Sequence, residues 1–310
     1  MTPAARQIDE TRRGAFYALS CYIIWGLFPL YWYPLTHSAI GADQLLAQRI
    51  VWSSLFSLLM VVALKQNHAF FSAFKQPKVL LAFMCSALAI SGNWLLYLWA
   101  ITHNHVLDTS LGYFISPLFS ILLGRIFFNE RINRIQTIAI ALALAGVFWL
   151  AIPAGHIPWI ALGLTASFGI YGLLRKMASL PTIPALALET LMMLPFAAAY
   201  LLLAARHNEL VFGELNPLQL AILLGSGIVT TIPLLLFGAG AKRISMSSMG
   251  IIQYLSPTCQ LLLGLFLFQE SFSLSRLIGY ALVWLGVAVY ILGIWHQSRH
   301  RPFQSGASSL

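Results

Sequence analysis

Charge is what this chain has least of. Aspartate, glutamate, lysine and arginine make up 9% of its residues, against about a quarter in a soluble domain. A water-facing surface cannot be built from so few charges, so a soluble globular chain of this length is excluded. Cysteine is scarce too. Cys21, Cys85 and Cys259 are odd in number and sit in apolar runs, with no partner at a metal-ligand or redox-motif spacing. A disulfide scaffold is set aside, and the three read as small packing residues. No Walker A phosphate loop and no H-E-x-x-H stretch occurs, so the usual markers of ATP hydrolysis and zinc hydrolysis are missing. His103 and His105 lack a third ligand nearby. No cofactor, no metal and no catalytic residue is therefore expected, and the chain is not read as an enzyme.

What is present is apolar sequence. Hydrophobic residues make up 59% of the chain and its mean hydropathy is +0.80. A bilayer crossing takes about 20 residues, and ten runs approach that length: 14–34, 44–64, 79–101, 107–128, 135–152, 157–175, 183–205, 218–241, 246–269 and 275–296. The expected fold is an all-α integral membrane protein of ten transmembrane helices. The short alternating strands of a membrane barrel are absent. The basic N-terminus before an apolar run has the outline of a signal peptide. That run is too long and lacks a small-residue cleavage site, so it reads as an uncleaved first span.

The cations give a direction. Arg6, Arg12, Arg13, Lys65, Lys75, Lys78, Arg131, Arg134, Arg175, Lys176, Lys242, Arg243, Arg299 and Arg301 fall on one side of the ten-span reading. Only Arg206 and Arg276 fall on the other, while Arg49 and Arg125 lie within or at the end of spans. Lysine and arginine accumulate on the cytoplasmic side, so both termini are expected there. The net charge of +9 is then a topology signal and an affinity for anionic lipid, with no nucleic acid implied.

One line of sequence is written twice. "ISPLFSILLGRIFFNE" at 115–130 shares Ser-Pro, Leu-Leu-Gly and Phe-x-Glu with "LSPTCQLLLGLFLFQE" at 255–270, an offset of 140. The offset also matches Gly146 with Gly286, Ser86 with Ser226, and Arg49 with Glu189, while Trp25-Gly26 aligns with Tyr171-Gly172 at offset 146. The chain thus divides into a cytoplasmic N-terminus (1–13), two five-helix repeats (14–152 and 157–296) and a cytoplasmic tail (297–310). Five is odd, so the second repeat enters from the opposite face. Inverted repeats of this kind recur in secondary transporters.

Eight stretches carry a resemblance: "WGLFPLYW" (25–32), "RIVWS" (49–53), "NWLLYLWA" (93–100), "SLGYFISPL" (110–118), "ASFGIYGLLRK" (166–176), "LET" (188–190), "TTIPLLLF" (230–237) and "GIIQYLSPT" (250–258). Together they resemble the RarD family of the drug/metabolite transporter superfamily, built from two EamA-type repeats. The resemblance implies a ten-helix permease of a bacterial inner membrane. Asp108 stands where a glutamate is usual in that family, and Gln48 where a histidine is frequent.

Candidate site residues follow from polar groups inside spans. Charges there are costly and tend to face a cavity or a partner, so Arg49 and Glu189 are read as cavity-lining or coupling groups. At roughly 1.5 Å of rise per residue, their mirrored depths separate them vertically by about 15 Å, too far for a direct salt bridge. Asn93, Trp94, Tyr97, Ser110, Tyr113, Gln253 and Tyr254 form the candidate substrate-binding set, an apolar cleft with a few placed hydrogen-bonding groups. Interhelical bonding is the alternative reading for each. Pro117, Pro233 and Pro257 are expected kinks, since proline removes a helical hydrogen bond. Glu130 is expected to pair with Arg131 and Arg134, and Glu270 with Arg276. Tyr31, Trp32, Tyr33, Trp99 and Trp159 read as an interfacial aromatic belt.

The functional expectation is a secondary transporter that carries a small metabolite or drug-like solute by alternating access, coupled to a proton gradient or to exchange. A lipid flippase or scramblase, or a channel, stays open as the alternative. The expected partners are a small-molecule substrate and membrane lipids; monomer and weak homodimer both stay open.

Overall fold

The computed structural model describes residues 3–36, 38–103, 105–152, 157–267, 269 and 273–299. Glu270, Asn104 and most of the C-terminal tail lie outside them. The described residues form thirteen α-helices and no strand. They are α1 (Pro3–Gly26), α2 (Phe28–Trp32), α3 (Ala42–Ala63), α4 (Asn67–Ala73), α5 (Pro77–Thr102), α6 (Val106–Phe128), α7 (Arg134–Ala151), α8 (Trp159–Met177), α9 (Thr182–Arg206), α10 (Pro217–Ala241), α11 (Met246–Gln253), α12 (Leu255–Phe266) and α13 (Leu274–Arg299).

Among the described residues, eight helical segments are long and apolar enough to cross a membrane: α3, α5, α6, α7, α9, α10, α11 with α12, and α13. The pair α1–α2 makes a ninth if its bend of 41° is counted within one span. Helix α8 stands outside that set, its mean hydropathy lowered by Arg175 and Lys176 in its last turn. The molecule is a multi-pass membrane protein with large apolar side chains, such as Phe148, Phe196 and Leu202, on its outer surface.

Helix ends follow local chemistry. Asn133 and Gln136 form a capping box at α7, and Asn216 and Gln219 form another at α10. Ser245 caps α11 through the Ser248 N–H. Lys65 and Asn208 follow α3 and α9 in the left-handed region, as Asn129 and Gln269 follow α6 and α12.

The three prolines expected as kinks sit differently in their helices. Pro117 and Pro233 lie inside continuous helices α6 and α10. Only Pro257 accompanies a break, at Tyr254 between α11 and α12. There the missing N–H and the ring clash both fall on the Gln253 carbonyl. The sharp bend is at Leu27, and its cause is Pro29, which cannot donate to the Trp25 carbonyl four residues back.

Close contacts are made at glycines. A Cβ on Gly146 would stand 2.7 Å from the Gly279 carbonyl oxygen and 3.0 Å from the Val283 nitrogen. One on Gly286 would stand 2.7 Å from the Ala139 carbonyl oxygen and 3.0 Å from the Ala143 nitrogen. These glycines join α7 to α13. Gly227 brings α10 within 2.4 Å of the Trp52 carbonyl by the same measure, and Gly250 brings α11 within 2.5 Å of the Pro117 carbonyl oxygen. Bare backbone faces let helices approach where lipid supplies no hydrophobic drive.

Candidate solute site

Arg49 lies in the second turn of α3. Its guanidinium sits over the rings of Trp32, at 5.4 Å, and Trp94, at 5.2 Å. Its Nε donates to Thr230 Oγ1 at 3.2 Å. Each neighbour has a local cause. The bend at Leu27 turns α2 so that Trp32 faces inward. Gly227, one turn before Thr230, lets α10 reach α3. Trp94 and Tyr97 project from adjacent turns of α5, and Tyr113 from α6. Tyr97 and Tyr113 both lie in the electrostatic field of Arg49. Their rings are 6.3 Å apart. Each tyrosine is 39% exposed. Each tyrosine thus keeps part of its surface accessible.

Glu189 occupies a different environment. Its Oε2 lies 3.3 Å from Arg175 Nη1, and its Oε1 accepts from Ser86 Oγ at 2.5 Å. Arg175 also reaches the Thr182 carbonyl with Nη2 at 3.5 Å. Both charges are buried, with Arg175 at 0% and Glu189 at 1% exposure. Arg175 Nε and the Tyr171 and Tyr22 hydroxyls have no hydrogen-bond partner in this region. Arg175, counted among the cytoplasmic-side cations at the end of a span, is a core residue at the end of α8, while the next residue, Lys176, donates to the backbone carbonyls of Ala241 and Ile244.

The other candidates separate. The Asn93 amide donates to the Leu164 carbonyl at 2.9 Å and to Ser167 Oγ at 3.0 Å, tying α5 to α8. Tyr254 is buried and donates to the Phe114 carbonyl at 3.3 Å. Gln253 is buried, its amide oxygen unpartnered, and Ser110 is exposed. The structure therefore gathers Arg49, Trp94, Tyr97 and Tyr113 into one place, and sets Asn93, Tyr254 and Glu189 in interhelical bonds elsewhere. Trp32 and Thr230 complete the gathering. Trp32 was assigned to the aromatic belt, and only the proline before it hinted at an inward turn. Tyr31 also points inward, its hydroxyl on the Ile222 carbonyl at 2.7 Å.

Glu130 corrects a further expectation. It makes no ion pair with Arg131 or Arg134. Its carboxylate accepts from the Met246 N–H at 2.6 Å, the Ser247 N–H at 2.9 Å and Ser247 Oγ at 2.6 Å. It is thus an anion held by the positive N-terminus of α11. Beyond α10, Lys242 donates to the Leu180 carbonyl. Burial, and then the charges of Arg175 and Arg243, lower its pKa from the usual 10.5 to about 8.

The described residues thus form a multi-pass helical bundle in which the Arg49 guanidinium lies over two tryptophan rings. The EamA-like transporter family matches residues 12–152 and again 157–292, and the chain belongs to that family. Among its relatives, the uncharacterized transporter YojE of Bacillus subtilis is 40% identical over 92% of this chain and 95% of its own. Protein RarD of Escherichia coli is 37% identical over 94% of this chain and 97% of its own. The chloramphenicol-sensitive protein RarD of Pseudomonas aeruginosa is 29% identical over 93% and 95%. A solved structure titled only "Crystal structure of protein" shares the fold, with a TM-score of 0.67 at 19% identity over 90% of this chain and 97% of that one. The chain is a RarD-type membrane transporter.

Proposed function

We propose that this chain is a secondary transporter that moves a small metabolite or drug-like solute by alternating access. In this reading it has ten spans, α8 being one and α1–α2 another. The spans form two inverted five-helix repeats in the bacterial inner membrane, with both termini cytoplasmic.

The observation that carries the proposal is reciprocal packing at the repeat offset. Gly146 rests on Gly279 and Val283, and Gly286 on Ala139 and Ala143. Each contact is the other with its partners exchanged at an offset of 140. Such reciprocity supports a reading of two-fold related surfaces. Phe114 and Tyr254, also 140 apart, touch each other, as residues beside a two-fold axis do. The paired left-handed helix ends at Asn129 and Gln269 support the same axis. A bundle with this pseudo-symmetry has two equivalent packings that open to opposite faces.

Glu189 is the proposed coupling group, since a buried carboxylate with one arginine partner can take a proton and release that arginine. Reconstitution into liposomes tests both parts. Saturable, pH-gradient-dependent flux of a solute supports the carrier, with chloramphenicol included because a relative's name carries it. Movement of labelled lipid without solute flux supports the flippase alternative. Unchanged pH-driven flux in Glu189→Gln removes Glu189 as the coupling site.

A further inference from the structure

We propose that Arg49 is a carboxylate seat, so that the transported solute is a small organic anion with an apolar body. This rests on the carrier reading and adds the substrate's chemical class.

The first observation is a missing counter-ion. Of the nine acidic residues, all but Glu270 are described, and the ion pairs among the described residues involve Arg13, His105, Arg175 and Arg243. None involves Arg49. A half-buried cation inside an apolar span is costly without a partner. The faces of Trp32 and Trp94 offset part of that cost through cation–π attraction, but they supply no negative charge.

The second observation is free valence. Nε is spent on Thr230. The terminal Nη1 and Nη2 have no hydrogen bond within the described residues. They form the edge of the guanidinium fork that takes a carboxylate with two parallel bonds. The Glu189–Arg175 pair is the internal contrast. There the chain supplies the carboxylate from its own helix α9.

The third observation is the wall. Tyr97 and Tyr113 are accessible, carry hydroxyls and stand in the field of Arg49. Their rings stand 6.3 Å apart, and Trp94 adds an aromatic face 5.2 Å from the guanidinium. An apolar or aromatic body fits there once its carboxylate meets Arg49. A free phosphate or an anionic lipid headgroup shares the charge but not the planar two-oxygen edge. Five elements of both sequence halves contribute: α2, α3, α5 and α6 from the first, and α10 from the second. A solute seated on Arg49 therefore touches both moving parts.

The test is binding, kept separate from flux. Detergent-purified full-length protein is titrated calorimetrically with phenylacetate, its neutral analogue phenylacetamide, inorganic phosphate, and phosphatidylglycerol in mixed micelles. Phenylacetate is expected to bind at least about 10-fold more tightly than phenylacetamide, the preference a charge-assisted pair gives. Arg49→Gln is expected to abolish that preference, and Arg49→Lys to keep only part of it. The wild-type comparison stands even if a variant fails to fold. Equal binding of acid and amide overturns the proposal, as does binding that Arg49→Gln in a folded protein leaves unchanged. Preference for phosphate or phosphatidylglycerol overturns the carboxylate assignment. Arg49-dependent binding with no flux of any solute in liposomes would sink the carrier reading and leave the site; flux without Arg49-dependent anion binding would do the reverse.

Discussion

Arg175 and Glu189 form an ion pair 3.3 Å apart with essentially no exposed surface. Fourteen residues separate them in sequence, and they come from consecutive helices, α8 and α9. Removing one partner strands the other charge, at a cost of about 3–5 kcal/mol. Glu189→Leu is therefore expected to lower the unfolding midpoint in detergent sharply. The double variant Arg175→Met with Glu189→Leu should regain most of the loss, because both charges leave the core together. A double variant as unstable as the single would show that packing, not charge, dominates there.

Glu130 should act on stability alone. Its carboxylate takes three hydrogen bonds at the start of α11. Truncation to alanine is expected to cost about 2 kcal/mol, the upper range for a helix cap, and Glu130→Gln less, since an amide oxygen still accepts. Solute affinity in either folded variant should match the parent. A selective loss of affinity would place Glu130 in the transport path.

Gly146 and Gly286 make a matched pair of tests. Alanine at either position meets a backbone carbonyl oxygen at 2.7 Å on the opposing helix. Backbone cannot give way as a flexible side chain does, so each substitution should cost about 1–3 kcal/mol. The two-fold reading adds that the two losses should be similar. Thermal melts of Gly146→Ala and Gly286→Ala measure both; one large loss beside one negligible loss would argue against equivalent surfaces.

Lys242 predicts a pH dependence. Its folded-state pKa, about 8, lies below the ordinary 10.5, because burial and the neighbouring Arg175 and Arg243 disfavour its charge. Below pH 8 the lysine is charged in both states and the fold bears the full penalty. Between about 8 and 10.5 the unfolded chain binds more protons, so stability rises with pH across that window. The Lys242→Met variant should be more stable at pH 7 and should lose the contribution of this group to the slope. An unchanged slope, measured by denaturation between pH 7 and 10, would remove Lys242 as its source.

The candidate site was half legible. Arg49 and Glu189 stood out because a charge inside an apolar run is conspicuous. Trp94, Tyr97 and Tyr113 followed as polar and aromatic groups at mid-span. Counting cations by side says nothing of where the Arg175 side chain points, and it turns back into the bundle to meet Glu189. Trp32 reads in the sequence as part of an interfacial belt, and only the bend set by Pro29 aims its ring at Arg49.

The sequence by itself determined the class of this protein. Scarce charge and ten apolar runs admit no other solution than membrane-spanning helices, since every backbone polar group must be satisfied within its own segment. Its duplicated line and long motifs also carried the family resemblance. Tertiary structure decided the partners. Which cation meets Glu189, which rings face Arg49, and what Glu130 binds depend on helix rotation and on close approach at Gly227, Gly146 and Gly286. Those are properties of facing surfaces, and a linear pattern records each surface without its mate.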